Sequence, residues 1–175
     1  MIEIAKATEL DLDSIESIYN KIHDNEEKGL TTIGWIRNTY PTRLTANEAI
    51  NRGDLFVMKD NNKVVAVAVL NQIQVDVYKN ISWKHKANDE EIMVIHGLAV
   101  DPMLNGKGYG RQFVAYYEEY AKDHNCFELR MDTNARNQRA RKLYASLGYE
   151  EVGIVPCIFN GIPDVELVCL EKNLK

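Results

Sequence analysis

No stretch of this chain reaches the roughly 18 consecutive apolar residues that a membrane-crossing helix needs, so no membrane partner is expected. The N-terminus carries Glu3 and Lys6 inside its short apolar run and lacks the core of a secretory signal. Cysteine is scarce: Cys126, Cys157 and Cys169 are odd in number, far apart, and match neither a metal-ligand spacing nor a disulfide framework. They are expected to be reduced packing residues of a cytoplasmic protein, with no metal. Blocks of like charge are missing too. The 21 Lys and Arg are scattered among 26 Asp and Glu, the net charge is −5, and no basic footprint for nucleic acid or an anionic surface remains. A small-molecule partner is favoured. Repeats, low-complexity tracts and interdomain linkers are also lacking. The chain has 175 residues, of which 45% are hydrophobic and 27% charged, enough for a single domain over 1–175 with a sizeable core.

Along the chain, residues 2–6 alternate like a strand. Thr8 and Asp11 form a capping box ahead of Ile15, Ile18, Tyr19 and Ile22 at helical spacing. The Gly- and Thr-rich stretch 28–43 holds Tyr40-Pro41 and precedes a second capping box, Thr45 to Glu48, of a helix expected to end near Gly53. Apolar runs at 55–58 and 64–70, parted by Asp60-Asn61-Asn62-Lys63, spell a hairpin. A long loop then leads to a central strand, 92–100. After it come a helix (108–123), a strand (127–131), a helix marked by Ala140, Leu143, Tyr144 and Leu147, and a second hairpin-like pair around 160–163. Hairpins flanking one βαβ unit imply a mixed α/β sheet of about seven strands with about four helices on its faces.

The most informative segment follows the central strand. Asn105-Gly106-Lys107-Gly108-Tyr109-Gly110-Arg111 places a glycine at every second position of a strand-to-helix turn. Such a turn suits phosphate: the backbone approaches the ligand closely, amides point at the anion, and the positive end of the helix dipole lies behind them. Lys107 and Arg111 add charge. No Walker lysine or G-x-G-x-x-G spacing is present, which disfavours a nucleotide-binding protein.

The loop, preceded by Leu98-Ala99-Val100-Asp101-Pro102, resembles the Gln/Arg-x-x-Gly-x-Gly/Ala pyrophosphate loop of the GNAT superfamily, with Asn105 at the position where Gln or Arg is usual. Asn137 to Tyr149 is similar to that family's second signature, Asn-x-x-Ala-x-x-Leu-Tyr-x-x-x-Gly-Phe/Tyr, and the specific part of the resemblance covers residues 98–149. It implies the GNAT fold and acetyl transfer from acetyl-CoA to a primary amine of a small molecule or peptide in a ternary complex. In the family, backbone amides near Leu98 and Val100 meet the acetyl group and pantetheine arm. The tyrosine matching Tyr144 protonates the departing thiolate, and the asparagine matching Asn137 helps bind the cofactor. From the residues alone, Tyr144 also fits an apolar helical stripe, and Asn137 fits a helix cap.

Amine attack needs the neutral nitrogen, so a base is useful. His96 fits on the central strand, where alternation sets it on the side of Val94, Leu98 and Val100, although a satisfied core histidine fits equally. Glu91 would act through water, or belong to a solvated acidic run. No G-x-S-x-G elbow or activated cysteine supports a covalent route. Trp35, Tyr40 and Trp83 are candidate acceptor contacts, or aromatic covers over helix ends. A non-catalytic acetyl-CoA sensor is the alternative reading. The C-terminal strand pair offers an edge on which a homodimer would form.

Overall fold

The computed structural model describes residues 1–175. In chain order its elements are β1 (Ile2–Lys6), α1 (Leu12–Glu27), α2 (Arg43–Arg52), β2 (Leu55–Asp60), β3 (Lys63–Asn71), β4 (Ile92–Val100), α3 (Tyr109–Asp123), β5 (Glu128–Asn134), α4 (Gln138–Ser146), β6 (Glu150–Phe159) and β7 (Ile162–Asn173). All strands join one sheet of order β1-β2-β3-β4-β5-β7-β6, in which β4 and β5 are the parallel neighbours. This is the mixed sheet with four helices that the sequence led us to expect. β6 lies on an edge of the sheet. No helix is long and apolar enough to cross a membrane.

Local signals account for most element ends. Thr8 donates its backbone N–H to Asp11 Oδ2 at 2.9 Å, forming the anticipated capping box just ahead of α1. The second box is corrected. α2 is capped by Thr42, and Thr45 is its third residue, with Thr45 Oγ1 accepting the Thr42 N–H at 3.0 Å. The Thr45–Glu48 pairing has the right chemistry one turn too late. Asn61 and Asn62 take φ of 48° and 66°, the left-handed pair that matches the twist of a two-residue hairpin between β2 and β3.

The sheet is covered on both faces. Phe113, Val114, Tyr117 and Ala121 of α3 pack with Phe56, Ala68, Met93, Leu129 and Leu170 on one face. Ile15, Ile18 and Ile22 of α1 and Ala46 and Ala49 of α2 pack on Leu55, Val57 and Val67 on the other. Farther along that second face, the 72–91 segment lays Tyr78 over Ile92, Val94 and Leu167. Each large side chain buried in this way stabilises the fold by about 1.5–3 kcal/mol.

The sheet is not continuous at its centre. β4 and β5 pair only at Ile92↔Glu128, Met93↔Leu129 and Val94↔Arg130. Beyond that point β4 follows β3 as far as Val100 and β5 follows β7 as far as Asn134, so the two strands part. The hydroxyl of Tyr117, fully buried on α3, reaches Met93 O at 2.6 Å and Arg130 O at 3.2 Å, one carbonyl on each strand at the fork. Tyr117→Phe is expected to destabilise the protein by about 1–3 kcal/mol, since buried carbonyls lose their donor. Denaturant unfolding checks this; a change below about 0.5 kcal/mol would mean that the hydroxyl does not help hold the fork.

Candidate active site

The fork opens where β4 itself is irregular. Its pairing with β3 slips between Val67↔Ala99 and Val69↔His96, so β4 carries an extra residue at a bulge. Gly97 sits there with φ +60°, and a Cβ on it would lie 2.8 Å from Tyr40 Oη, so the position requires glycine. The bulge reverses the phase of the strand. Ile92 and Val94 belong to the face under Tyr78, whereas Leu98 and Val100 pack against the α3 and α4 side. The expectation that His96 shares a side with Leu98 and Val100 is therefore corrected, because simple alternation does not survive an inserted left-handed residue.

On the α3 side of the fork lies a cleft of about 590 Å³. One wall is the end of α1 and the 29–33 segment, the floor is Leu98–Val100, and the far wall is the glycine loop with α4. Gly108 is the N-cap of α3 with φ +76°, a left-handed conformation, and a Cβ there would approach only Gln112 Nε2, at 3.9 Å. The helix begins its hydrogen bonding with Gln112 N–H to Gly108 O at 3.1 Å, which leaves the amides of Tyr109, Gly110 and Arg111 free at the cleft. Arg111 and Arg139 line the same cleft. Free amides, a helix N-terminus and two guanidinium groups together suit a diphosphate.

A smaller chamber of about 80 Å³ continues from the cleft, sharing Ile33, Leu98, Asn137, Ala140 and Tyr144 with it. Trp35, Tyr40 and Phe159 form an aromatic wall, with edge-on contacts at 5.7 Å and 5.6 Å between successive ring centres. The opposite side carries Asp132, the one charged side chain lining this space. Its Oδ2 accepts the Tyr78 hydroxyl at 2.6 Å. Burial pushes the Asp132 carboxyl up to about 6, partly offset by that hydrogen bond. Tyr144 stands where cleft and chamber meet, and its hydroxyl makes no hydrogen bond within the protein. Burial, then the Asp132 charge, raises its pKa well above the usual phenol range and keeps it protonated. Tyr144 belongs to the α4 side of the sheet and Asp132 points to the other. They share one space because the strands between them have separated.

The structure brings together Leu98, Ala99, Val100, Asn105, Gly106, Gly108, Tyr109, Gly110, Arg111, Asn137 and Tyr144 around the cleft, and Trp35 and Tyr40 around the chamber. Asn137 caps α4, accepting the Ala140 N–H at 3.2 Å, while lining both spaces. Four sequence candidates lie elsewhere. Lys107 is exposed and does not line the cleft. Glu91 just precedes β4, where it accepts the Asn88 N–H at 3.1 Å and faces Lys175. Trp83 lines neither space; it donates its indole N–H to Tyr78 O at 2.9 Å and stacks under Arg130, bracing the segment that carries Tyr78. His96 lines neither space as well. Asn71 Oδ1 already accepts the Ile73 N–H, so His96 Nε2 donates to it at 2.8 Å, and burial lowers the imidazole to about 4. This bond satisfies Nε2 of a half-buried histidine. Asp132, Tyr78, Phe159 and Arg139 were not anticipated.

Comparison with known proteins gives the same picture. The model of the acetyltransferase (GNAT) family matches residues 14–149. The aminoglycoside N(6')-acetyltransferase type 1 of Salmonella enteritidis is 22% identical over 135 residues, 75% of this chain and 88% of that protein. A GNAT-family acetyltransferase of Streptococcus agalactiae superposes with a TM-score of 0.83 at 21% identity, covering 99% of this chain and 96% of its own. A Salmonella typhimurium protein described as an acetyltransferase and solved with its cofactor acetyl-CoA superposes with a TM-score of 0.68 at 19% identity over 99% of this chain and 94% of its own. With the forked sheet, the glycine loop at the start of α3 and a family match running from α1 to the end of the tyrosine helix, the chain belongs to the GNAT family of acetyltransferases.

Proposed function

We propose that the protein moves an acetyl group from acetyl-CoA directly to a primary amine of a small molecule or peptide while both are bound. The observation that carries this reading is the continuity of the cleft with the chamber past Tyr144. A module that only sensed acetyl-CoA would need the cleft alone. Here the cleft leads into a second space with its own ionisable group, so donor and acceptor can meet without leaving the protein.

In this reading the free amides of Tyr109, Gly110 and Arg111, with the Arg111 and Arg139 guanidinium groups, hold the pyrophosphate. The unpaired edge of β4 at Leu98–Val100 offers backbone groups to the pantetheine arm and acetyl carbonyl. Acetyl-CoA supplies the activated acyl carbon. Tyr144, protonated and without a partner in the protein, gives its proton to sulfur as that atom leaves. Asn137 steadies the start of α4 and so the position of Tyr144.

Calorimetric titration tests the donor half. Acetyl-CoA is expected to bind saturably, with ATP and NAD silent. Gly108→Leu, which forces a side chain into a left-handed backbone in front of the free amides, is expected to weaken acetyl-CoA binding at least tenfold, or about 1.4 kcal/mol. That strain should cost no more than about 1–2 kcal/mol of stability. Thiol release with a panel of amines then tests transfer. Failure of the wild-type protein to bind acetyl-CoA would remove the reading, and unchanged affinity in Gly108→Leu would displace the pyrophosphate from this loop.

A further inference from the structure

Asp132 is an isolated anion. No lysine, arginine or histidine lines its chamber, and the groups facing it are Tyr78 from the 72–91 segment, Tyr40 from the segment before α2, Tyr144 from α4, Cys157 from β6 and Cys169 from β7. Burial raises the pKa of each of them, Cys169 to about 12, so none is charged near neutral pH. Asp132 is half-buried, and a carboxylate partly withdrawn from water without a cation is costly unless something else supplies the positive charge. One of its oxygens is taken by Tyr78; the other, Oδ1, has no donor in the protein. The chamber that holds it is about 80 Å³. An apolar cavity of roughly 150 Å³ holds benzene, so this space takes an ammonium and a few methylenes but no ring.

Resting on the acetyl-transfer reading, we infer that the acceptor is a primary ammonium at the end of an unbranched methylene stem, bound by Asp132 Oδ1 between Trp35, Tyr40 and Phe159, and that Asp132 takes its proton. The bulk of the acceptor stays outside the chamber. One N–H proton passes to Asp132, and the nitrogen lone pair forms the C–N bond as the C–S bond breaks with its electron pair on sulfur. The nitrogen sheds a second proton to become the amide, which balances the one sulfur gains, and Asp132 releases its own to solvent when the product leaves. The aromatic wall contributes shape and attraction to the cation. Tyr78 is a positioning residue: its hydroxyl fixes the carboxylate, and Trp83 and Arg130 brace its backbone.

The test keeps donor and acceptor apart. Asp132→Asn preserves shape and leaves Tyr78 an acceptor, so acetyl-CoA affinity and melting temperature should match wild type, while kcat/KM for n-butylamine falls about 10²–10⁴-fold. In wild type the acid limb of the kcat/KM profile should lie near 6; it should vanish in Asp132→Asn and move upward in Tyr78→Phe, which loses the bond that lowers the Asp132 carboxyl. Without acetyl-CoA, carboxyl-carbon NMR of Asp132 should show a midpoint that n-butylamine lowers and tert-butylamine leaves in place. Intact acetyl-CoA binding with Asp132→Asn activity within threefold of wild type, or a carboxyl midpoint indifferent to n-butylamine, overturns the inference and spares the acetyl-transfer reading. Absence of acetyl-CoA binding by wild type overturns that reading, whereas the NMR titration still decides whether the chamber holds an ammonium.

Discussion

Replacing Gly97 by alanine is expected to cut kcat/KM by about 10²-fold, the loss that follows when reacting groups are misplaced by about 1 Å. Two strains act at once. The residue has φ +60°, a conformation that costs a side-chain-bearing residue about 1–2 kcal/mol. The new Cβ would also meet Tyr40 Oη at 2.8 Å and Tyr40 Cζ at 4.0 Å. Tyr40 has little room to yield, because its ring contacts Trp35 on one side and Phe159 on the other. Relief comes by flattening the bulge, which would turn Leu98 away from the cleft, or by collapsing the aromatic wall into the chamber. Adding Tyr40→Phe removes the hydroxyl, so the double variant should recover part of the stability lost by Gly97→Ala, and a double-mutant cycle on thermal unfolding reads the coupling. Activity of Gly97→Ala within twofold of wild type would show that the bulge does not set the geometry of transfer.

Tyr144→Phe should behave in the opposite way, sparing structure and removing chemistry. The ring is buried and meets Tyr149 edge-on at 6.2 Å between centres, and phenylalanine keeps that packing. The hydroxyl makes no hydrogen bond inside the protein, so its removal orphans no buried partner. Melting temperature and acetyl-CoA affinity are therefore expected to stay at wild-type values while kcat drops about 10²-fold or more, the usual worth of a positioned proton donor. An unchanged kcat would return Tyr144 to the core residue that its helical stripe equally allows. A lower melting temperature with unchanged kcat would do the same and reveal a bonding role for the hydroxyl.

The cleft was legible in the sequence because its requirements are local. A helix start, free amides and tolerance for left-handed backbone are all properties of consecutive residues, and Gly106, Gly108 and Gly110 announce them. Asn137 and Tyr144 belong to one helix with one period. The chamber was hidden for a physical reason. Glu128, Arg130 and Asp132 alternate with Leu129 and Met131, the usual pattern of a strand with one wet face. That face is covered here, since the 72–91 segment brings Tyr78 and Trp83 over it. A polar residue at alternate positions carries no mark of whether water or a remote loop will lie above it.

Residue type and position made His96 and Glu91 candidate bases, yet composition cannot show that Asn71 Oδ1 accepts the His96 Nε2–H or that Glu91 lies beyond the end of β4 far from the cleft. Trp35 and Tyr40 were weak signals in a Gly- and Thr-rich stretch, and they line the chamber because Phe159, far along the chain, packs against Tyr40.

By itself the sequence determined the element order, the two Asn- and Gly-centred hairpin turns, the buried faces of the helices and the glycine-rich start of α3, each of them written in spacing along a few turns of chain. Only the tertiary structure decided that β7 would insert between β5 and β6, that β4 and β5 would part after Val94, and that Gly97 would reverse the phase of the strand beside the gap. Those outcomes depend on contacts between segments far apart in sequence: Tyr117 across the fork, Tyr40 against Gly97, Tyr78 on Asp132. They gather Tyr144 and Asp132 from opposite faces of the sheet into one space, because a cavity between diverging strands is a property of their separation and not of either strand alone.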